Sequence, residues 1–137
     1  MKLSTLARYG PALLFAATCV VAPALAATPA ELMAAYAKQA GSTPSPERGQ
    51  RLYTTNFGKD FGWSCATCHG ATPTKSGKDE VSDKVIGALA PAANPERFTD
   101  RVKVENRFRL NCKDVVGREC TAAEKADVIS WLLTLKP

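Results

Sequence analysis

Apolar positions along this chain recur mostly at helical spacing. Leu32, Met33 and Tyr36 follow Thr28-Pro29-Ala30-Glu31, a capping box with proline at the first helical position, and Gly41 stands where such a helix would stop. Ser45-Pro46-Glu47 opens a second helix in the same way, with Gly49, Leu52 and Tyr53 three and four apart on one face. From Arg101 to Cys112, Val104, Phe108 and Asn111 fall at spacing four and then three. Thr121-Ala122-Ala123-Glu124 is a further capping box. The helix it opens carries Val128, Ile129, Leu132 and Leu135 as an apolar stripe, with Trp131 beside it. No alternating run of β-branched residues suggests a strand, and there is no internal repeat. The pattern predicts an all-α fold of four to five helices with much loop. Residues 56–62 read as a loop that sets Phe57 and Phe61 against something apolar. The polar stretch 72–84 and the Ala/Pro stretch 87–95 are long for loops of a compact domain, which suggests that they wrap around something.

The first residues carry a different pattern. Lys2 and Arg8 precede an apolar run containing Leu13, Leu14, Phe15, Val20 and Val21, and no acidic residue occurs before Glu31. The run closes on Ala24-Leu25-Ala26, a small-residue cleavage site, so residues 1–26 read as a secretory signal peptide and 27–137 as one mature domain. The competing reading is an uncleaved membrane anchor. Pro23 interrupts the run and no basic residue closes its far end, which favours cleavage and leaves no stable membrane anchor. Cys19 follows Thr18 rather than Gly or Ala, which argues against a lipoprotein cysteine. Export implies the periplasm, where unpaired thiols do not persist.

Composition narrows the reading further. In 137 residues, 45% are hydrophobic, 23% are charged and the formal charge is +5, values that exclude a disordered or fibrous chain. The signal would take Lys2 and Arg8 with it. No dense Lys/Arg block remains to argue for nucleic acid. Of five cysteines, Cys19 would leave with the signal, and His69 is the single histidine.

Cys65-Ala66-Thr67-Cys68-His69 is C-x-x-C-H, the attachment pattern of c-type haem. Two thiols on one turn of chain reach the two vinyl groups of a porphyrin, and the next residue sets an imidazole against the iron. Cys65 and Cys68 are thus expected to hold one covalent haem c, with His69 as the proximal ligand and its second ring nitrogen held by a hydrogen bond. A thioredoxin-like reading would need a βαβ context, which is missing. A zinc reading would recruit Cys112 and Cys120, against the habits of exported chains. Cys112 and Cys120, eight residues apart, are expected to pair as a disulfide, stabilising by roughly 2.5 kcal/mol in the chain-entropy model.

The sixth iron position is then the open question. A lone histidine forbids bis-His ligation within the chain. Met33 is the sole methionine after the signal, but its spacing with Tyr36 reads as core. Asn111, from the residues alone, reads as a helix C-cap. Arg107, Arg109 and Arg118 lie near Asn111 in sequence and read as a solvated face sooner than as partners of a bound group.

Taken together, Glu47-Arg48-Gly49 with Leu52, Cys-x-x-Cys-His-Gly at 65–70, Leu89-Ala90-Pro91, Pro95 through Asp100, Asn111-Cys112, Val116-Gly117-Arg118-Glu119-Cys120-Thr121, Glu124 to Asp127 and Trp131-Leu132 resemble the SHP-type (Sphaeroides heme protein) cytochromes c, relatives of cytochrome c double-prime. The resemblance spans nearly the whole mature chain. It implies a class I-like cytochrome c fold, a distal Asn ligand at Asn111 and a disulfide at Cys112–Cys120. It further implies that reduction releases the asparagine and lets O2, NO or CO bind. The redox partners it implies are a dihaem cytochrome c and a membrane cytochrome b. A related group has histidine at the asparagine position; this chain has none to spare. The expected role is electron transfer with gas binding rather than catalysis. The alternatives are an ordinary electron carrier ligated by Met33, and a haem enzyme converting oxygen or nitric oxide.

Overall fold

The computed structural model describes residues 27–58 and 62–137; residues 1–26, the expected signal peptide, and Phe61 lie outside the described residues. Helix α1, Pro29–Ala40, begins at the expected capping box. The Thr28 N–H donates to the Glu31 carboxylate at 2.7 Å, and the Glu31 N–H donates to the Thr28 hydroxyl at 3.2 Å. The helix ends at Gly41 in the left-handed region, φ 63°. Helix α2, Pro46–Thr54, is capped by Ser45, which accepts from the Arg48 N–H. Cys65–His69 form a short helix, α3. Helix α4 spans Arg101–Val115 behind the Asp100 cap, and α5 spans Ala122–Thr134 behind the Thr121 capping box.

The last helix is the axle of the fold, because α1 and α2 both pack across α5. Its stripe is buried: Val128, Ile129, Trp131 and Leu132 join Leu32, Tyr36 and Tyr53 in one core. The α2–α5 crossing is a backbone contact. A Cβ on Gly49 would fall 2.9 Å from the Val128 nitrogen and closer still to the Asp127 carbonyl, so only glycine lets the helices meet there. The crossing is clamped by Arg48. Its guanidinium grips both oxygens of the Asp127 carboxylate, at 2.7 and 2.8 Å, while the Ser45 N–H donates to the same carboxylate at 2.7 Å. Asp127 is only 4% exposed, and this bidentate pair is what makes its burial tolerable.

Two expectations need correction. The polar stretch is not strand-free: β1, Gly77–Lys78, pairs antiparallel with β2, Val85–Ile86, in a two-stranded hairpin. Strands of two residues carry too little alternation to leave a sequence signal. Helix α4 also runs past Cys112 to Val115, so Asn111 lies inside the helix and Val116 is its C-cap; Asn111 is not a cap. The two long loops are sewn together at Pro73, whose carbonyl accepts from Leu89 and Ala90 N–H groups, both at 2.9 Å.

Candidate haem-binding site

One turn of α3 carries Cys65, Cys68 and His69. Ser64 caps it through Thr67, whose hydroxyl accepts from the Ser64 N–H at 3.0 Å, and Gly70 ends it with φ 77°. Three elements hold this turn. Tyr53, buried on α2 with its ring 4.8 Å from that of Trp131, donates its hydroxyl to the Gly70 carbonyl at 2.7 Å. Gly77 on β1 lies against the turn from the other side, with no room for a Cβ beside Cys68 and His69. The 87–98 loop closes near it: Arg97 donates to the Gly87 and Ala88 carbonyls at 2.6 and 2.8 Å, and Asn94 also bonds Ala88. Arg97 sits near enough to His69 that its charge adds to burial in lowering the imidazole pKa.

The chemistry of the three side chains fits a haem. Cys65 and Cys68 are free thiols, and burial pushes the Cys65 thiol up to about 11. A reactive redox thiolate would be stabilised in the opposite direction. Nδ1 of His69 is buried and has no hydrogen-bond partner. The hydrogen bond expected at one ring nitrogen is therefore not seen at Nδ1, because no described group reaches it. A buried imidazole nitrogen that no protein group uses is left with lone-pair or donor capacity for a bound group. Zinc does not fit. Cys112 and Cys120 are bonded to each other, and no group of three or more metal-ligating side chains gathers among the described residues.

Asn111 comes from a different element. On α4, Val104 is buried, Phe108 is half-buried, and Asn111 continues the same face one turn further on, where it is exposed. The Phe108 ring meets Tyr36 edge-on at 6.2 Å and lies 6.4 Å from the buried Phe98. The Asn111 amide makes no hydrogen bond to another described residue, and the next residue, Cys112, is disulfide-bonded to Cys120 with a Cα–Cα distance of 5.7 Å. Met33 is partly buried against the core beside α5. Arg118 pairs with Glu124 at 2.6 Å, while Arg107 and Arg109 are exposed. Phe57 is half-buried. No described helix is long and apolar enough to cross a membrane.

The fold and the Cys65–His69 turn define a c-type cytochrome. Comparison with known proteins agrees. Residues 39–132 match the family described as a domain of unknown function, DUF1924. The chain is 46% identical over 114 residues to the cytochrome c-type protein SHP of Cereibacter sphaeroides, covering 80% of this chain and 88% of that one. It is 44% identical over 84 residues to cytochrome c″ of Methylophilus methylotrophus, covering 61% of this chain and 57% of its relative. The structure of oxidized SHP, described as an oxygen binding cytochrome c, superposes with a TM-score of 0.74 at 44% identity, covering 79% of this chain and 97% of that one. Oxidized cytochrome c″ gives the same TM-score at 35% identity, covering 80% and 95%. The chain belongs to the SHP family of cytochromes c, with the all-α cytochrome fold that the sequence predicts.

Sequence reasoning singled out Cys65, Cys68, His69 and Asn111 as the expected haem residues but passed over the groups that support the turn. Gly77 was hidden in a turn-rich stretch, and Arg97 in a loop. Tyr53 read only as core, although a tyrosine on a buried face needs a partner for its hydroxyl, and that was a usable signal.

Proposed function

We propose that this chain is a periplasmic monohaem cytochrome c that binds O2, NO or CO in the reduced state and exchanges electrons with a dihaem cytochrome c and a membrane cytochrome b. The observation that carries the reading is the single turn holding Cys65, Cys68 and His69, with the His69 Nδ1 buried and unpartnered. The SHP relative, described as oxygen binding, supports the gas-binding part.

Cys65 and Cys68, one turn apart on α3, would hold the haem covalently through their sulfurs. His69 would offer its imidazole to the iron. Asn111 would offer its amide oxygen to the iron as a second ligand. The haem, when bound, supplies one-electron chemistry and a site for a diatomic gas. Asn111 offers a hard, neutral, weak donor, better matched to ferric than to ferrous iron. Such a donor would hold reduced iron weakly and would leave that position open to a π-accepting gas. The exposed position of Asn111 and its freedom from other hydrogen bonds suit a ligand that must let go.

Optical and magnetic spectra of wild type and Asn111→Ala in both redox states test this reading. A ferric spectrum changed by the substitution and a ferrous form that takes up carbon monoxide are expected. A six-coordinate low-spin ferrous form that rejects carbon monoxide would sink the gas-binding reading.

A further inference from the structure

Lysine 125 is out of place by every local rule. It is only 8% exposed, and it occupies the first turns of α5, where the helix dipole disfavours a cation. What compensates it lies on another helix. Glu105 of α4 meets the Lys125 ammonium at 2.5 Å, and its other oxygen accepts from the Tyr36 hydroxyl of α1 at 2.7 Å. The ammonium also sits 5.3 Å from the centre of the Tyr36 ring. Glu105 therefore joins α4 to both α1 and α5 at one point.

That point has a partner two turns along. Glu105 and Cys112 are seven residues apart, so they share one flank of α4, and Cys112 is bonded to Cys120 just before the α5 cap. Two ties on one flank fix the rotation of a helix about its axis. The face bearing Val104, Phe108 and Asn111 lies roughly 100° round from that flank at 100° per residue. Fixing the flank thus fixes the direction in which Asn111 projects.

We propose that Glu105, held by Lys125 and Tyr36, is a latch on α4 that positions Asn111 for the iron. The inference rests on the reading of Asn111 as distal ligand. Glu105 and Lys125 are positioning residues and touch no reacting atom.

The test uses the haem-loaded chain with imidazole as a ferric-iron probe. Imidazole can enter the ferric site only when Asn111 lets go. Glu105→Gln keeps a group able to bond Tyr36 but loses the charge facing Lys125. It is expected to raise the imidazole association rate by about tenfold and to increase the high-spin ferric fraction. Carbon monoxide association with the ferrous protein, where Asn111 has already withdrawn, should stay within about twofold of wild type. In an Asn111→Ala background, Glu105→Gln should add nothing to the imidazole rate. Glu119→Gln, which breaks the exposed pair with Lys113 near the end of the same helix, should leave both rates unchanged. Should Glu105→Gln fail to retain haem, Tyr36→Phe removes one hydrogen bond of the latch and should raise the imidazole rate by about threefold. An unchanged imidazole rate and spin state in Glu105→Gln, even with a lowered unfolding midpoint, overturns the latch while Asn111→Ala still shifts the ferric spectrum. If Asn111→Ala shifts nothing, the distal-ligand reading falls first and takes the latch with it.

Discussion

Gly77 of the hairpin and His69 of the Cys-x-x-Cys-His turn meet backbone to backbone: a Cβ on Gly77 would come within 2.8 Å of the His69 Cα. The Cys68 carbonyl lies closer still. Neither group is the far end of a flexible side chain, so neither can swing away. Gly77→Ala is therefore expected to push α3 off its seat at a cost of about 2–3 kcal/mol. The measurement is haem content per chain, together with the unfolding midpoint of the loaded protein. Haem content and stability both at the wild-type level would show that the hairpin is not a support of the turn.

Tyr53 holds the other side of the same turn. Its hydroxyl is buried and donates to the Gly70 carbonyl at 2.7 Å. Tyr53→Phe keeps the ring against Trp131 and removes only the donor. The carbonyl is then left short of a partner, and stability should fall by about 1–2 kcal/mol in denaturant unfolding, with the haem spectrum close to wild type.

The Arg48–Asp127 clamp should behave asymmetrically. The Asp127 side chain is nearly buried, whereas 48% of the Arg48 side chain is exposed. Arg48→Ala strands a buried carboxylate and should be the more costly change, though less so than in a fully buried pair because water can partly replace the guanidinium. Asp127→Asn leaves an exposed arginine to water but keeps acceptors for Ser45. It is expected to cost the smaller amount in the same denaturant measurement.

The helices were legible because their signals are local. Thr28, Ser45 and Thr121 announce their caps by neighbours within three residues, and the α5 stripe repeats within two turns. Cys65 to His69 was legible because covalent chemistry imposes a spacing. The supports were not legible, because each joins segments distant in sequence. Gly77 matters only once the hairpin folds back on α3, and Glu105 matters only once α4 lies over Lys125. Asn111 shows both sides. Its face on α4 followed from periodicity with Val104 and Phe108, whereas its helix-end reading failed because the helix continues to Val115, with no glycine to stop it at Cys112.

Acid should weaken the fold through two glutamates. Hydrogen bonding from Lys125 above all, and then from Tyr36, holds Glu105 below its ordinary value of 4.5; Arg118 does the same for Glu124. A folded-state value below the unfolded one means that the unfolded chain takes up protons first. The stability these groups contribute is therefore complete above about pH 5 and is lost as pH falls through their lowered folded-state values. Thermal midpoints measured from pH 7 down to pH 3 should decline over that window. Glu105→Gln and Glu124→Gln should each flatten the decline, and an unchanged slope in both would refute the assignment.

The disulfide offers the last test, because it joins stability to the proposed distal ligand. Cys112 and Cys120 close a loop with a sequence separation of 8 and tie the end of α4 to the start of α5. Replacing both by serine is expected to cost about 2.5 kcal/mol from the freed chain entropy. Asn111 is the residue before Cys112, so the loss should not be only thermodynamic. With the tie gone, Glu105 and the packing of Val104 and Phe108 are left to hold α4, and the C-terminal part of the helix that carries Asn111 is freer to turn. The ferric protein should then show more high-spin haem at a temperature where it is still fully folded. Restoring stability with a stabilising osmolyte should recover the midpoint without recovering the low-spin fraction. A spectrum that follows the midpoint back to wild type would mean that the bridge only staples the fold and does not aim Asn111.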